Sequence, residues 1–256
     1  MSLLRLEEVS IEFGGIKAVD SISFEVNKGE IYTIVGPNGA GKTTIFNIIS
    51  RIYDATGGRV FFEDRDITRL PTHEIASLGI ARTFQNIELF DHATVLHNLL
   101  VGRHTHRKSN LLSEILFLPS VREQELKHRR KAEDIIDFLD LQHYRDQLIA
   151  NLPYGVRKVV ELGRALCMEP KLLLLDEPAS GLNVDETEDM AFWIEDIKKL
   201  LGITVIMVEH NMNLVSLVSD RVIAINYGEK LAEGLPNEVQ RNPEVIKAYL
   251  GEEENV

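Results

Sequence analysis

The segment Gly36, Pro37, Asn38, Gly39, Ala40, Gly41, Lys42, Thr43 places glycines at its first and sixth positions and closes on a lysine and a hydroxyl residue. This is the pattern G-x-x-x-x-G-K-[ST], and the chemistry it suits is a grip on a chain of phosphates. Its glycines let successive backbone N–H groups converge on phosphate oxygens, while a helix starting behind them adds the positive end of its dipole. Lys42 is long enough to reach the β- and γ-phosphates, and the Thr43 hydroxyl is a ligand of the kind Mg²⁺ takes. With Thr44, which follows in the same turn, residues Gly36 to Thr44 form the candidate phosphate-binding set.

A second constellation is "LLLLDE", where Asp176 and Glu177 end an apolar run. An aspartate at such a strand end helps hold magnesium and its water shell in phosphate-loop enzymes. The acid directly after it can orient or deprotonate an attacking water. Alternation along a strand aims the two side chains differently, so they need not compete for one role. An isolated acidic pair is ordinarily a solvated strand end; four leucines before it and a phosphate loop upstream favour the chemical reading.

These residues need elements to hold them. "IYTIV" (31–35) is a short, almost wholly apolar strand of the type found inside a parallel sheet, and "KTTIFNIIS" after the glycine loop has helical spacing. "LLLLD" (172–176) and "TVIMVEH" (204–210) predict two further buried strands, with a long helix between them through Trp193 to Leu201. Alternation at Leu4, Leu6, Val9, Ile11 and Phe13 predicts half-buried strands, continued by "ISFEVNKGE" to a turn at Lys28-Gly29. Residues 58–67 read as one more strand and 71–78 as a short helix opened by Pro71. From about 86 to 160 the pattern turns helical, amphipathic near 94–103 and 121–140. "RVIAINYGEKLAEG" predicts a hairpin turning at Tyr227-Gly228, followed by helical segments and an acidic tail. The expected fold is α/β, a nucleotide core with a helical insertion.

Length and composition set outer bounds. The chain has 256 residues, enough for one large α/β domain, with 44 % hydrophobic and 27 % charged residues, so a core forms without disulfide or metal staples. Its single cysteine, Cys167, excludes an intrachain disulfide and fits a reducing compartment. No apolar run approaches the roughly 20 residues of a membrane span, and "MSLLRLEEVS" lacks the pattern of a secretory signal. Contact with a membrane is therefore expected through a partner, at the cytoplasmic face. The formal charge of −12 argues against an extended nucleic-acid surface. A local exception is 103–131, with eight Lys/Arg against three Asp/Glu.

Taken together in order, the motifs resemble an ATP-binding cassette (ABC) ATPase, the engine subunit of ABC transporters, over nearly the whole chain. The resemblance implies a P-loop NTPase fold with a RecA-like core, an antiparallel β-subdomain and a helical subdomain, assigned here to 87–160 within a single domain at 4–251. It implies ATP and Mg²⁺ as ligands, the latter at Thr43, Gln85 and, through water, Asp176. Gln85 in "RTFQN" falls at the Q-loop, and "SGLN", Ser180, Gly181, Leu182 and Asn183, at the D-loop. His210 in "VEHN" falls at the switch histidine that contacts γ-phosphate, and Phe13 where an aromatic stacks on adenine. The implied catalytic group is Glu177, His210, Gln85 and Lys42. Singly, a glutamine such as Gln85 is more often a surface residue, His210 also reads as a core-edge histidine, and Phe13 reads equally as a core strand residue. A narrower resemblance, in "FGGIKAVDSISFEVNKGEI", "ARTFQNIELF", the 103–131 insertion, "LPYG" and "IKAYLGEEE", is to the larger ATPase of branched-chain amino-acid importers; related urea or amide importers share much of it.

The signature stretch departs from Leu-Ser-Gly-Gly-Gln: Leu152 and Gly155 remain, but Pro153, Tyr154 and Val156 replace serine, glycine and glutamine. In the family this stretch closes over the γ-phosphate held by a second cassette. Pro153 removes a hydroxyl and its own N–H, yet proline suits a helix start, where the N–H groups of Tyr154, Gly155 and Val156 and the dipole still face phosphate. A working site with altered contacts is expected. Asn183 stands where aspartate is common. The resemblance implies a head-to-tail dimer with a like or paralogous cassette, transmembrane permease subunits, and indirectly an extracytoplasmic solute-binding protein. The basic 103–131 stretch reads either as a solvated helical face or as a surface towards anionic lipid or the permease. Other readings stay open: a lipopolysaccharide-export type of cassette, a soluble DNA-repair or translation ATPase, and a binding-only cassette. The intact Lys42, Asp176, Glu177 and His210 speak against the last.

Overall fold

The computed structural model describes residues 1–106 and 119–253. The chain divides into two compact units, one of residues 1–82 with 171–256 and one of residues 83–170. The expected local packing of "LLSEILFL" (111–118) lies outside the described residues, as do the last three residues of the expected acidic tail.

The first unit is built on two sheets. β1 (Ser2–Phe13), β2 (Ile16–Asn27), β4 (Gly57–Phe62) and β5 (Arg65–Asp66) form an antiparallel sheet in the order β2-β1-β4-β5. β3 (Ile31–Val35), β6 (Ile80–Arg82), β7 (Leu172–Asp176), β8 (Thr204–Val208), β9 (Arg221–Asn226) and β10 (Glu229–Gly234) form the other, in the order β10-β9-β3-β8-β7-β6. All neighbours in it are parallel except β10, which returns antiparallel to β9. β3, β7 and β8 are buried along their whole length, which is why their sequences are continuous apolar runs without alternation.

Both faces of this sheet are covered. Ile34, Ile206, Leu174 and Ile223 join Ile45, Phe46 and Ile49 of the helix Lys42–Ile49, together with Leu4, Leu6 and Ile22 of the antiparallel sheet, in one apolar core. Val35, Val222 and Ala224 point the other way and pack with Val215, Val239 and Val245. Adjacent residues such as Ile34 and Val35 thus serve opposite cores, as the two-residue strand period requires. The hairpin β9–β10 turns at Tyr227 and Gly228, both at positive φ, as its sequence led us to expect.

Two segments depart from the sequence reading. The single strand expected at 58–67 is instead a tight hairpin, β4 to β5, turning at Glu63 and Asp64 with φ 49° and 61°. Apolar alternation continues through Ile67 and hides the turn, because the two turn residues tolerate the left-handed conformation without glycine. The three-residue edge strand β6 was too short to register as a period. Two residues of the expected tail, Glu252 and Glu253, belong to the helix Pro243–Glu253.

The second unit is helical, with helices Val95–Gly102, Pro119–Phe138 and Tyr154–Leu166. The Thr94 hydroxyl caps the first by accepting from His97 N–H. Gly102 allows the first and third to touch: a Cβ there would lie 2.2 Å from the Arg164 carbonyl oxygen. Gly163 packs likewise beside Leu139 and Leu99. Arg145 clamps the following loop to the middle helix, its Nε donating to both carboxylate oxygens of Glu133 at 3.1 and 2.9 Å.

Candidate active site

Within the first unit, the carboxyl ends of β3, β8 and β7 lie side by side, and each carries one group of the predicted site. β3 runs into the glycine loop and then into the helix Lys42–Ile49. Gly36, at φ 156°, and Gly41, at φ 103°, are required sterically: a Cβ would stand 2.2 Å from the Ile225 carbonyl and 2.5 Å from the Ala18 carbonyl respectively. Gly41 precedes the helix without any side-chain cap, so the first-turn donors are left to the loop's concave side. Asn38, Gly39 and Thr43 are exposed, whereas Pro37, Ala40 and Lys42 are buried. The Lys42 ammonium donates to the carbonyls of Gly36 and Pro37 at 2.6 and 2.8 Å, so the loop wraps its own cation. The hairpin turn buttresses this arrangement, with Gly228 N–H donating to Ala40 O at 3.0 Å.

β7 delivers Asp176 and Glu177 in different settings. Asp176 is 2 % exposed, and its Oδ2 accepts from Arg82 at 2.8 Å. Arg82 also donates to Asn47 Oδ1 at 2.7 Å and lies over the Phe46 ring, tying the aspartate to the phosphate-loop helix. Glu177 leaves the strand at φ 50°, a left-handed kink with a half-buried side chain, and its N–H is held by Val208 O at 2.9 Å. Ser180, Gly181, Leu182 and Asn183 follow in a turn that ends by capping the helix Val184–Lys199: Asn183 accepts from Glu186 N–H, and Glu186 returns the bond to Asn183 N–H. An asparagine here therefore performs the capping that an aspartate would.

From β8 comes His210, largely exposed, with Nδ1 4.0 Å from Glu177 Oε1. Phe13 closes β1, is 46 % exposed as a residue, and meets Tyr53 edge-to-face at 5.2 Å between ring centroids, forming an aromatic corner.

The remaining predicted residues belong to the helical unit. Gln85 is exposed in the segment after β6. That segment is anchored to the helix Tyr154–Leu166 by Glu161, which accepts from Phe84 N–H at 3.3 Å, and by Arg164, which donates to Glu88 O. Burial pushes the Glu161 carboxyl above its ordinary range, against the opposing pull of the Phe84 N–H and nearby cations. Pro153 sits just ahead of that helix with φ −56° and ψ 154°, one position earlier than the first turn. The helix's own bonds begin with Arg157 N–H to Pro153 O at 3.1 Å, so the N–H groups before Arg157 precede that ladder. Tyr154 is exposed, Gly155 buried and Val156 between.

Sequence reasoning passed over two residues. Arg82 was read only as part of a motif, although a cation three residues before Gln85 at a strand end was visible. Glu209 was overlooked beside His210; a carboxylate following four apolar residues was the available signal.

Comparison with known proteins agrees with this geometry. Residues 19–180 match the family model described as ABC transporter, and residues 229–255 match one described as branched-chain amino acid ATP-binding cassette transporter. The chain is 38 % identical over 250 residues to the high-affinity branched-chain amino acid transport ATP-binding protein BraF of Pseudomonas aeruginosa, covering 98 % of each chain. It is also 38 % identical over 250 residues to LivG of Escherichia coli, with the same coverage. Among solved structures, the ADP conformation of an ATP-binding cassette of an ABC transporter superposes with a TM-score of 0.86 at 35 % identity, over 98 % of this chain and 99 % of that one. With the phosphate loop, the carboxylate pair and the histidine meeting at three adjacent strand ends, the chain belongs to the ABC transporter family as one of its ATP-hydrolysing cassettes.

Proposed function

We propose that the chain energises the import of branched-chain amino acids. It would work as one of two cassettes seated on transmembrane permease subunits at the cytoplasmic face, with an extracytoplasmic binding protein supplying the solute. The observation that supports the solute class is similarity over 98 % of the chain to BraF and LivG, together with the match of the C-terminal residues 229–255. The candidate residues keep the roles their chemistry suggests. Gly36 to Thr44 and Lys42 bind the phosphates, and the Phe13–Tyr53 corner receives the adenine.

The donor set fits Mg²⁺. Thr43 offers a hydroxyl and Asp176 a carboxylate. Hydroxyl and carboxylate oxygens are hard donors of the kind Mg²⁺ takes beside phosphate and water. Thr43, Gln85 and, through water, Asp176 would hold the ion, which when bound offsets charge on the β- and γ-phosphates. Glu177 accepts a proton from the attacking water, and His210 and Lys42 stabilise charge developing on the γ-phosphoryl oxygens. The 153–156 stretch closes on the nucleotide of the partner cassette through its backbone donors.

Glu177→Gln tests the catalytic assignment. The variant should retain ATP binding while kcat falls about 10²- to 10⁴-fold, the range for losing a general base; unchanged turnover removes Glu177 from that role. In the reconstituted transporter, leucine should stimulate ATP hydrolysis where urea does not, and the reverse result would reassign the solute.

A further inference from the structure

Glu209 is fully buried at the end of β8. Its side chain accepts three backbone N–H bonds: Oε1 from Ala179 at 2.9 Å, and Oε2 from His210 at 2.8 Å and Asn211 at 3.0 Å. The donors come from two segments, the turn that follows Glu177 and the residues that present His210. A second stitch lies beside the first, since Glu177 N–H donates to Val208 O at 2.9 Å.

A buried carboxylate is costly unless hydrogen bonds satisfy it, and an aliphatic side chain would fill a strand end with no such cost. The five residues before Glu209 form a strand that is buried throughout, so apolar packing is already supplied there. What an aliphatic residue could not do is accept from both segments at once. The His210 backbone is held by the carboxylate of its own neighbour, and the exposed imidazole is therefore aimed from a fixed stem. Nδ1 stands 4.0 Å from both Glu177 Oε1 and Glu209 Oε2.

We infer that Glu209 is a positioning residue for ATP hydrolysis: its carboxylate couples the turn from Glu177 to Asn183 to the segment presenting His210, so that acid and histidine keep one relative placement. This rests on the proposal that His210 acts on the γ-phosphoryl group. A displacement of the 180–183 turn, on which a partner cassette would press, is then transmitted to His210 through the Glu209 side chain, beside the backbone bond from Glu177 N–H to Val208 O.

Steady-state ATP turnover by the full chain with its permease subunits tests this through Glu209→Gln, His210→Ala and the pair combined. The glutamine is isosteric, but its amide nitrogen must face either Ala179 N–H or the His210–Asn211 donors, so one segment is released. We expect kcat to fall about 10- to 100-fold, as for other groups that orient a reacting residue, with the ATP KM within about threefold because Lys42 and its loop are untouched. The double variant should be no slower than His210→Ala by more than about twofold, since both changes act through one group.

Multiplicative losses in the double variant, or Glu209→Gln at wild-type kcat while His210→Ala is slow, would overturn the inference and leave the His210 assignment standing. His210→Ala at wild-type kcat would instead remove that assignment and the inference with it. Should Glu209→Gln not fold, Glu209→Asp keeps the charge but is one methylene shorter and spans only one segment. It should slow turnover with the same KM-preserving signature, with the Ala179 or the His210 and Asn211 amide protons shifted upfield; wild-type turnover by Glu209→Asp would overturn the bridge.

Discussion

Pro153 stands where a serine hydroxyl would donate to a partner's phosphate, and it forms the extended residue ahead of the helix Tyr154–Leu166. Its missing N–H costs the helix nothing, because the intrahelical ladder begins with Arg157. The donors and dipole of the first turn are backbone properties and survive the substitution. We therefore expect the wild-type chain, assembled with its partners, to turn over ATP, and Pro153→Ser to change kcat by less than about tenfold, the lower end of what one hydrogen bond to a charged group supplies. An inactive wild type rescued by Pro153→Ser would show that the hydroxyl is indispensable. Asn183 makes the same point about a second departure: it closes a capping box with Glu186, so its local structural task is met without a charge.

The elements of the helical unit are held by close backbone approach and by a few charge-assisted bonds. Gly102 lets its helix approach the helix Tyr154–Leu166 so closely that a Cβ there would stand 2.2 Å from the Arg164 carbonyl oxygen, and the Arg145 fork grips Glu133. Its hydrogen bonds to Arg145 hold the Glu133 carboxyl below its ordinary range, against the opposing effect of partial burial. A carboxylate whose folded-state pKa is depressed stabilises the fold above its unfolded pKa and loses that contribution as pH falls through the folded one. Glu133→Gln should therefore lower stability at neutral pH by about 1 kcal/mol, discounted for the partial exposure of the pair, and the difference should shrink towards zero in acid. Urea melts at pH 7 and below pH 4 would check this; an equal loss at both values would assign the effect to packing. Helices and buried strands with clear periods were legible in the sequence at this scale. The β4–β5 hairpin and the β6 edge strand were not, because a two-residue turn without glycine and a three-residue strand leave no period to read.

For the whole molecule, the distribution of charge matters more than its sum of −12. Arg129, Arg130 and Lys131 lie on the helix Pro119–Phe138, where Arg129 approaches Glu133 at 4.0 Å and Lys131 pairs with Glu169 at 3.3 Å. Both pairs are solvent-exposed and worth about 0–1 kcal/mol each, so reversing the three charges should leave the cassette's melting temperature within a few degrees. If this face meets anionic lipid or the permease, the same reversal should weaken assembly of the membrane complex in a salt-dependent way, read by co-purification. Undiminished assembly would return the stretch to the role of a solvated helical face. Among the described residues no helix is long and apolar enough to cross a membrane.

The phosphate loop, the buried strands that carry it and the acid pair, and the helical character of the middle of the chain are all legible from residue order alone. Each depends on local rules: glycine where φ is positive, continuous apolar runs where both faces of a strand are covered, and apolar residues at helical spacing. That β8 lies between β3 and β7, with β6 at the edge beside β7, emerges from the folded chain, because strand order depends on packing between residues far apart in sequence. That order sets His210 beside Glu177, binds Asp176 to Arg82 across 94 positions and brings Glu209 to Ala179 across 30. A buried carboxylate reads in sequence as one more acid; its meaning comes from which backbone donors the fold turns towards it.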